Sequence, residues 1–185
     1  MLETGKKIFY GLWICIIIFL LYKYFQNPDI ASPENIRNFI RSYGSEMMLV
    51  YIALTLVRGF FLIPSTPFVI GGGMLFPDKL YLVLLISMVG VMVSATALYY
   101  FSDILGFSNY LDAKYPKEIG KWKTRLQSQK ATYFVIGWSF FPLVPTDLIC
   151  YVAGIVKMPF KYMFVGVFVG ELVLDIFYVN FGSNL

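Results

Sequence analysis

Pro142-Leu143-Val144-Pro145-Thr146-Asp147, followed by Ala153-Gly154, sits inside an apolar run that cannot be one straight helix. Proline removes a backbone N–H, and its ring clashes with the preceding turn. Two prolines three residues apart therefore break the helix. At hydrocarbon depth the freed backbone groups must find partners in protein or line a water-filled cavity. The same punctuation occurs earlier as Pro64-Ser65-Thr66-Pro67, followed by Gly71-Gly72-Gly73. Two interrupted segments, in corresponding places of two halves, point to a substrate path between them.

Composition sets the class. Of 185 residues, 58% are hydrophobic and 14% charged, against about 25% charged in a soluble domain. The apolar residues fall in several long runs, which reads as an all-α polytopic membrane protein. The net charge of +4 is a topology signal, not a nucleic-acid footprint. The chain has no histidine, and its two cysteines, Cys15 and Cys150, lie in apolar runs. Neither a disulfide framework nor a metal site is expected; both cysteines read as small buried apolar residues. No cofactor is expected. Without a histidine base or a nucleophile elbow, the chain does not read as an enzyme.

Residues 1–44 read as an anchor and an accessory helix. Lys6-Lys7 precede an apolar run, and Lys23, Tyr24 and Phe25 follow it where a cleavage site would need small residues. Residues 8–25 thus read as a retained signal-anchor crossing. Ser32-Pro33-Glu34 has the cap, first-position proline and acidic residue of a helix start. Ile36, Phe39, Ile40 and Tyr43 share one face of that helix, while Arg37 and Arg41 share another. It either lies in the membrane interface or packs on the protein's own surface.

Residues 45–185 form the main membrane domain. Hairpins are expected at about 46–78 and 131–158, with full crossings at 8–25, 80–106 and 159–182. Gly90, Ser94, Ala95 and Ala97 allow close helix approach in the middle crossing, which ends at Asp103 and Gly106. Charge orients the whole. With the amino terminus inside, Lys6, Lys7, the six basic residues from Lys114 to Lys130, Lys157 and Lys161 are cytoplasmic. These are ten against four outside: Lys23, Arg37, Arg41 and Lys79. This positive-inside balance requires the hairpins to be re-entrant from opposite faces, an inverted repeat in which each hairpin is followed by one crossing.

Four charged residues at membrane depth are candidates for function. A carboxylate there costs about 2.5–3.5 kcal/mol on insertion scales, so Asp147 should face a cavity or a partner. It reads as a proton exchanger or as a cap on the half-helix after the break. Arg58 reads as a partner for an intramembrane carboxylate or a lipid phosphate, or as a snorkelling side chain. Glu171 and Asp175 are one helical turn apart and read as partners of Arg58 or as a proton path; alternatively Asp175 is simply wet at the outer end. Asp103 reads as interfacial. Gly71, Gly72, Gly73 and Gly154 are expected to permit tight turns and close packing.

The run from Pro142 through Pro145, Asp147 and Gly154 to Lys157, Phe160, Phe164 and Gly170 resembles the second hairpin of the DedA superfamily. The VTT-domain branch, also called the SNARE-associated Golgi protein family, is the nearest. Pro64, Pro67, Gly72, Gly73 and Phe76 match its first hairpin, and the resemblance covers roughly residues 45–182. It implies two opposed re-entrant hairpins packed on transmembrane helices. It also implies lipid scrambling, flipping of polyprenyl-phosphate carriers or proton-coupled transport, with membrane lipids, including anionic or polyprenyl-phosphate lipids, as partners. Three positions depart from the family. Ser139 and Asp103 stand where many relatives have arginine, and Pro77 where a glycine is usual. Arg58, Arg125 and Lys157 are the cations left to take the arginines' place.

The expected protein is a multi-pass transporter that moves phospholipid or a lipid-linked phosphate between leaflets, in a bacterial plasma membrane. The alternatives are a proton-coupled small-solute transporter and a non-transporting scaffold that works through its basic loop.

Overall fold

The computed structural model describes residues 2–104, 113–141 and 145–185. Among the described residues there are nine α-helices and no strand. They are α1 (Leu2–Gln26), α2 (Pro33–Arg41), α3 (Met47–Val57), α4 (Thr66–Leu75), α5 (Leu80–Ile104), α6 (Pro116–Leu126), α7 (Lys130–Ser139), α8 (Thr146–Ile155) and α9 (Phe160–Ser183). Pro142 and Gly106 lie outside the described residues, as does the side chain of Asp103.

Helix lengths repeat. Two short helices of 11 and 10 residues, α3 and α4, precede the 25-residue α5. Two of 10 residues each, α7 and α8, precede the 24-residue α9. Both short pairs are interrupted at their prolines. The break after α3 is a 3-10 turn, Arg58–Phe61, closed by Leu62 in the left-handed region (φ 58°). Leu62 N–H donates to the Gly59 carbonyl at 3.1 Å, and Ile63 N–H donates to the Arg58 carbonyl at 3.2 Å. That paired closure satisfies carbonyls a helix end would orphan. Lys157 (φ 54°) closes α8 in the same way, through Lys157 N–H to Gly154 and Met158 N–H to Ala153. The left-handed residues at these ends are thus Leu62 and Lys157, not the expected glycines.

The glycines serve packing instead. A Cβ on Gly73 of α4 would overlap the Val179 carbonyl and Gly182 of α9. A Cβ on Gly154 of α8 would overlap the Tyr99 carbonyl and Ser102 of α5. Gly90 of α5 meets Thr55 of α3, and Gly170 of α9 meets Ser139 of α7. One rule covers all four contacts: each repeat's first short helix packs on its own long helix, and its second packs on the other's. The two repeats are interlocked by a pseudo-twofold relation.

Directions follow from the same contacts. Tyr51 meets Ser87 and Thr55 meets Gly90, so α3 runs parallel to α5. Carbonyls of Thr132 and Ile136 meet Gly166 and Gly170, so α7 runs parallel to α9. The end of α5 meets the start of α9 through Tyr99 and Tyr100 against Phe160, at 5.3 and 5.5 Å between ring centroids. The long helices are therefore antiparallel, and the two short pairs open toward opposite ends of the bundle.

Among the described residues three helical stretches, Gly44–Phe61, Pro77–Ser102 and Phe160–Ser183, are long and apolar enough to cross a membrane. The first lies where an arm of a hairpin was expected; α3 and its 3-10 turn together give it the length of a span. The expected first crossing falls within the 25-residue α1, whose stretch Gly11–Tyr24 is apolar. Cys150 is buried as expected, whereas Cys15 lies exposed on α1. Ser32 caps α2 by accepting from Asn35 N–H at 3.3 Å. Ile36 and Ile40 of α2 are buried in a cluster with Phe68 and Val69 of α4, while Phe39 and Tyr43 of the expected apolar face are exposed, so α2 packs on the protein with part of that face uncovered.

Gly73→Val and Gly154→Val should each lower stability by about 1–3 kcal/mol, the usual effect of overpacking. Gly137→Ala, at a site with nothing within 4 Å, should be neutral or slightly stabilising. Thermal aggregation midpoints of the detergent-solubilised variants check this. Equal midpoints for all three would contradict the interlock.

Candidate functional site

The two breaks meet halfway along α5 and α9. The central element is Arg58, the first residue after α3. Its Nη1 donates to the Ile63 carbonyl at 2.9 Å. That carbonyl has no helical donor four residues on, because that residue is Pro67. Arg58 therefore supplies the hydrogen bond that the proline removes. The same Nη1 lies 3.6 Å from Asp147 Oδ2, on the first turn of α8. One guanidinium thus ties break to break.

Relative exposures of 4% for Arg58, 5% for Asp147, 3% for Glu171 and 1% for Asp175 show that all four candidates are buried. This decides several alternatives. Arg58 does not snorkel. Asp175 is not wet. The N-cap position of α8 is Pro145, and Asp147, on its first turn, faces Arg58. A carboxylate on the first turn still gains from the positive end of the helix dipole.

Glu171 joins the breaks a second time. The Thr146 hydroxyl at the start of α8 donates to Glu171 Oε1. The Ser65 hydroxyl before α4 donates to Oε2 at 3.5 Å. Both half-helix starts therefore converge on one carboxylate, where their dipoles favour negative charge. Arg58, Asp147, Glu171, Ser65, Thr146 and Ser139 all line a cavity of about 70 Å³. Ser139 is 1% exposed, and its hydroxyl has no hydrogen-bond partner.

The four charged residues stand out in the sequence, whereas the hydroxyls beside the prolines do not. Ser65 and Thr146 carry as much of the site as the prolines do. The available signal was that each proline pair encloses or precedes a hydroxyl residue beside the half-helix start. Ser139, noted only for what it is not, lines the cavity. Arg125 is exposed on α6 and Lys157 is exposed after α8. Neither is among the cavity-lining residues, so Arg58 alone of the three proposed cations reaches the site. Outside the cavity, each break has a tryptophan: Trp13 Nε1 donates to the Phe60 carbonyl at 2.9 Å, and Trp138 Nε1 to the Pro145 carbonyl at 3.4 Å. Among the described residues no cluster of metal-ligating side chains occurs.

The arrangement can hold a few waters and exchange protons between carboxylates and hydroxyls. Arg58→Leu should destabilise the protein by about 3–5 kcal/mol, because it leaves Asp147 buried without its cation. Adding Asp147→Leu should recover most of the loss. A double-mutant cycle in mild denaturant reads the coupling; additive losses would mean the pair is not an energetic unit.

Comparison with curated proteins and with solved structures returned no match. The VTT domain matches residues 63–184, from the closing turn of the first break to the end of α9. Arg58 and α3 lie ahead of the matched stretch. The match spans well over half of the chain, and with the three apolar helices it makes this a membrane protein. The chain belongs to the VTT-domain family, the domain of the DedA and SNARE-associated Golgi proteins.

Proposed function

We propose that this chain moves a lipid, a phospholipid or a lipid-linked phosphate, between the leaflets of a bilayer. The single observation that carries the reading is the position of the cavity, where two broken helix pairs meet and present Arg58, Asp147 and Glu171. Buried ionisable groups at membrane depth mark transport paths, and discontinuous helices meeting at midplane are the usual way of building one. In this reading the α3–α4 and α7–α8 pairs are re-entrant hairpins from opposite faces. The positive-inside balance puts the α4–α5 end of the bundle outside.

The headgroup passes along the cavity while the acyl tails stay in lipid. Arg58 supplies the positive charge for a phosphate. With Asp147 and Glu171 both ionised, the cavity carries two negative charges against one positive. An anionic headgroup therefore enters together with protons, which couples its movement to a proton gradient. A cavity of about 70 Å³ is closed to a headgroup, so passage requires the two breaks to part.

The cavity volume also favours a second reading, proton-coupled movement of a small solute. Proteoliposomes carrying a fluorescent phospholipid in both leaflets, quenched from outside, separate the two. The lipid reading expects leaflet exchange at least about tenfold faster than in protein-free liposomes, and about tenfold slowing in Asp147→Asn. Exchange no faster than in protein-free liposomes, with solute uptake driven by a pH gradient, would overturn it in favour of the second.

A further inference from the structure

The pseudo-twofold relation fails chemically at one place. Packing equates Gly90 with Gly170, which meet the first short helix of their own repeat, and Tyr99 with Val179 and Ser102 with Gly182, which meet the second short helix of the other. The same register equates Val91 with Glu171 and Ala95 with Asp175. Positions that are acidic on α9 are therefore apolar on α5. Ser87 of α5 corresponds likewise to Val167 of α9.

The polar positions form a track. Glu171 and Asp175 share a face of α9 one turn apart. At about 1.5 Å rise per residue they lie about 18 and 12 Å inside the Ser183 end of α9. Tyr51, fully buried on α3, is about one turn from the start of that helix, at the same end of the bundle. Its hydroxyl is 3.0 Å from Ser87 Oγ, and a Cβ on Gly72 would collide with it. Gly73, next to Gly72, meets Val179 of α9, one turn from Asp175, so α4 brings Tyr51 and Asp175 to the same region. Asp175 Oδ2 is buried without a hydrogen-bond partner. Buried bare oxygens cost about 1–3 kcal/mol each and call for a reason; uptake of a transiting proton supplies the missing bond.

Among the described residues the opposite half includes the bare Ser94 Oγ on α5 and is otherwise apolar at its core. Val91, Ala95 and Leu98 of α5 pack against Val135, Met163 and Val167 in one apolar cluster. The polar groups beyond it are spent on backbone: Tyr99 donates to the Met158 carbonyl at 2.5 Å, and Ser102 to the Tyr99 carbonyl at 2.7 Å. Cys150 is enclosed in the same cluster.

We infer that the central carboxylates exchange protons with one side of the membrane only, through Asp175 and the Tyr51–Ser87 hydroxyl pair, while a plug of valine and methionine seals the other. The inference rests on the proton-exchange part of the proposed function but not on what cargo moves. The proton leaves the Glu171 carboxyl for the Asp175 carboxylate. From there it passes along the hydroxyls, each giving up one proton and taking another, so no charge is left behind and nothing is oxidised. The other ionisable groups facing this route are Arg58 at the end of α3, Asp147 on α8 and Tyr178 on α9, the last within reach of both Glu171 and Asp175. Under the topology proposed above, the open side is the external one.

The test is a sided pH step on the full chain in oriented proteoliposomes, read by the infrared carbonyl band of protonated carboxylic acids. Glu171→Gln and Asp175→Asn assign the band. A step on the α4–α5 side should change it at least about tenfold faster than a step on the α8–α9 side. Tyr51→Phe, which removes only the hydroxyl, should slow that response about tenfold and leave the final amplitude unchanged; Ser87→Ala should act in the same direction. Equal rates from both sides, or a Tyr51→Phe rate like that of the parent, would overturn the inference. Lipid exchange in the same liposomes reports on the cargo separately, so failure of one reading is distinguishable from failure of the other.

Discussion

Backbone polar groups cannot be left bare in hydrocarbon, and everything at the centre of this protein follows from how two broken helices meet that constraint. The first break is answered from within: left-handed Leu62 turns the chain back on its own carbonyls, and Arg58 reaches forward to the Ile63 carbonyl that Pro67 cannot serve. That use of Arg58 buries a cation, and a buried cation needs an anion. Asp147 from the second break provides it. The electrostatics of the site are thus a by-product of the need to stop a helix. The two breaks cannot be understood separately, since each supplies part of what the other lacks.

Glu171 extends the same logic. Two half-helices begin beside it, each contributing a hydroxyl and the positive end of its dipole. A site built from helix starts and one arginine suits an anion, yet it already holds two carboxylates. Under the proposed function, occupancy by proton and by cargo would be alternatives or companions, never independent. That balance of charge, more than the cavity's shape, is what the proposed coupling rests on.

Much of this was legible in the sequence because proline and charge are loud in an apolar chain. Pro64, Pro67 and Pro145 marked the interruptions, and Arg58, Asp147, Glu171 and Asp175 stood out against their surroundings. What stayed silent was contact. Nothing in periodicity distinguishes Ser65 or Thr146 as donors to Glu171, or shows that the glycines pack against carbonyls rather than turn the chain. The left-handed positions fell on Leu62 and Lys157, where no residue-type rule points. Position along the helix was also a poor guide to wetness: Asp175, toward one end of the last helix by count, is buried.

The crossed packing of short on long helices bears on how the chain is made. The partner of α4 is the far end of α9, which lies more than 100 residues further along the chain. Amino-terminal segments of a nascent chain ordinarily fold first, but here the first pair has no complete surface to dock on until α9 has been made. During that interval Gly71-Gly72-Gly73 presents a bare, narrow helix face to the bilayer. A quality-control factor in the membrane would have a defined window, and a defined face, by which to recognise the unfinished protein.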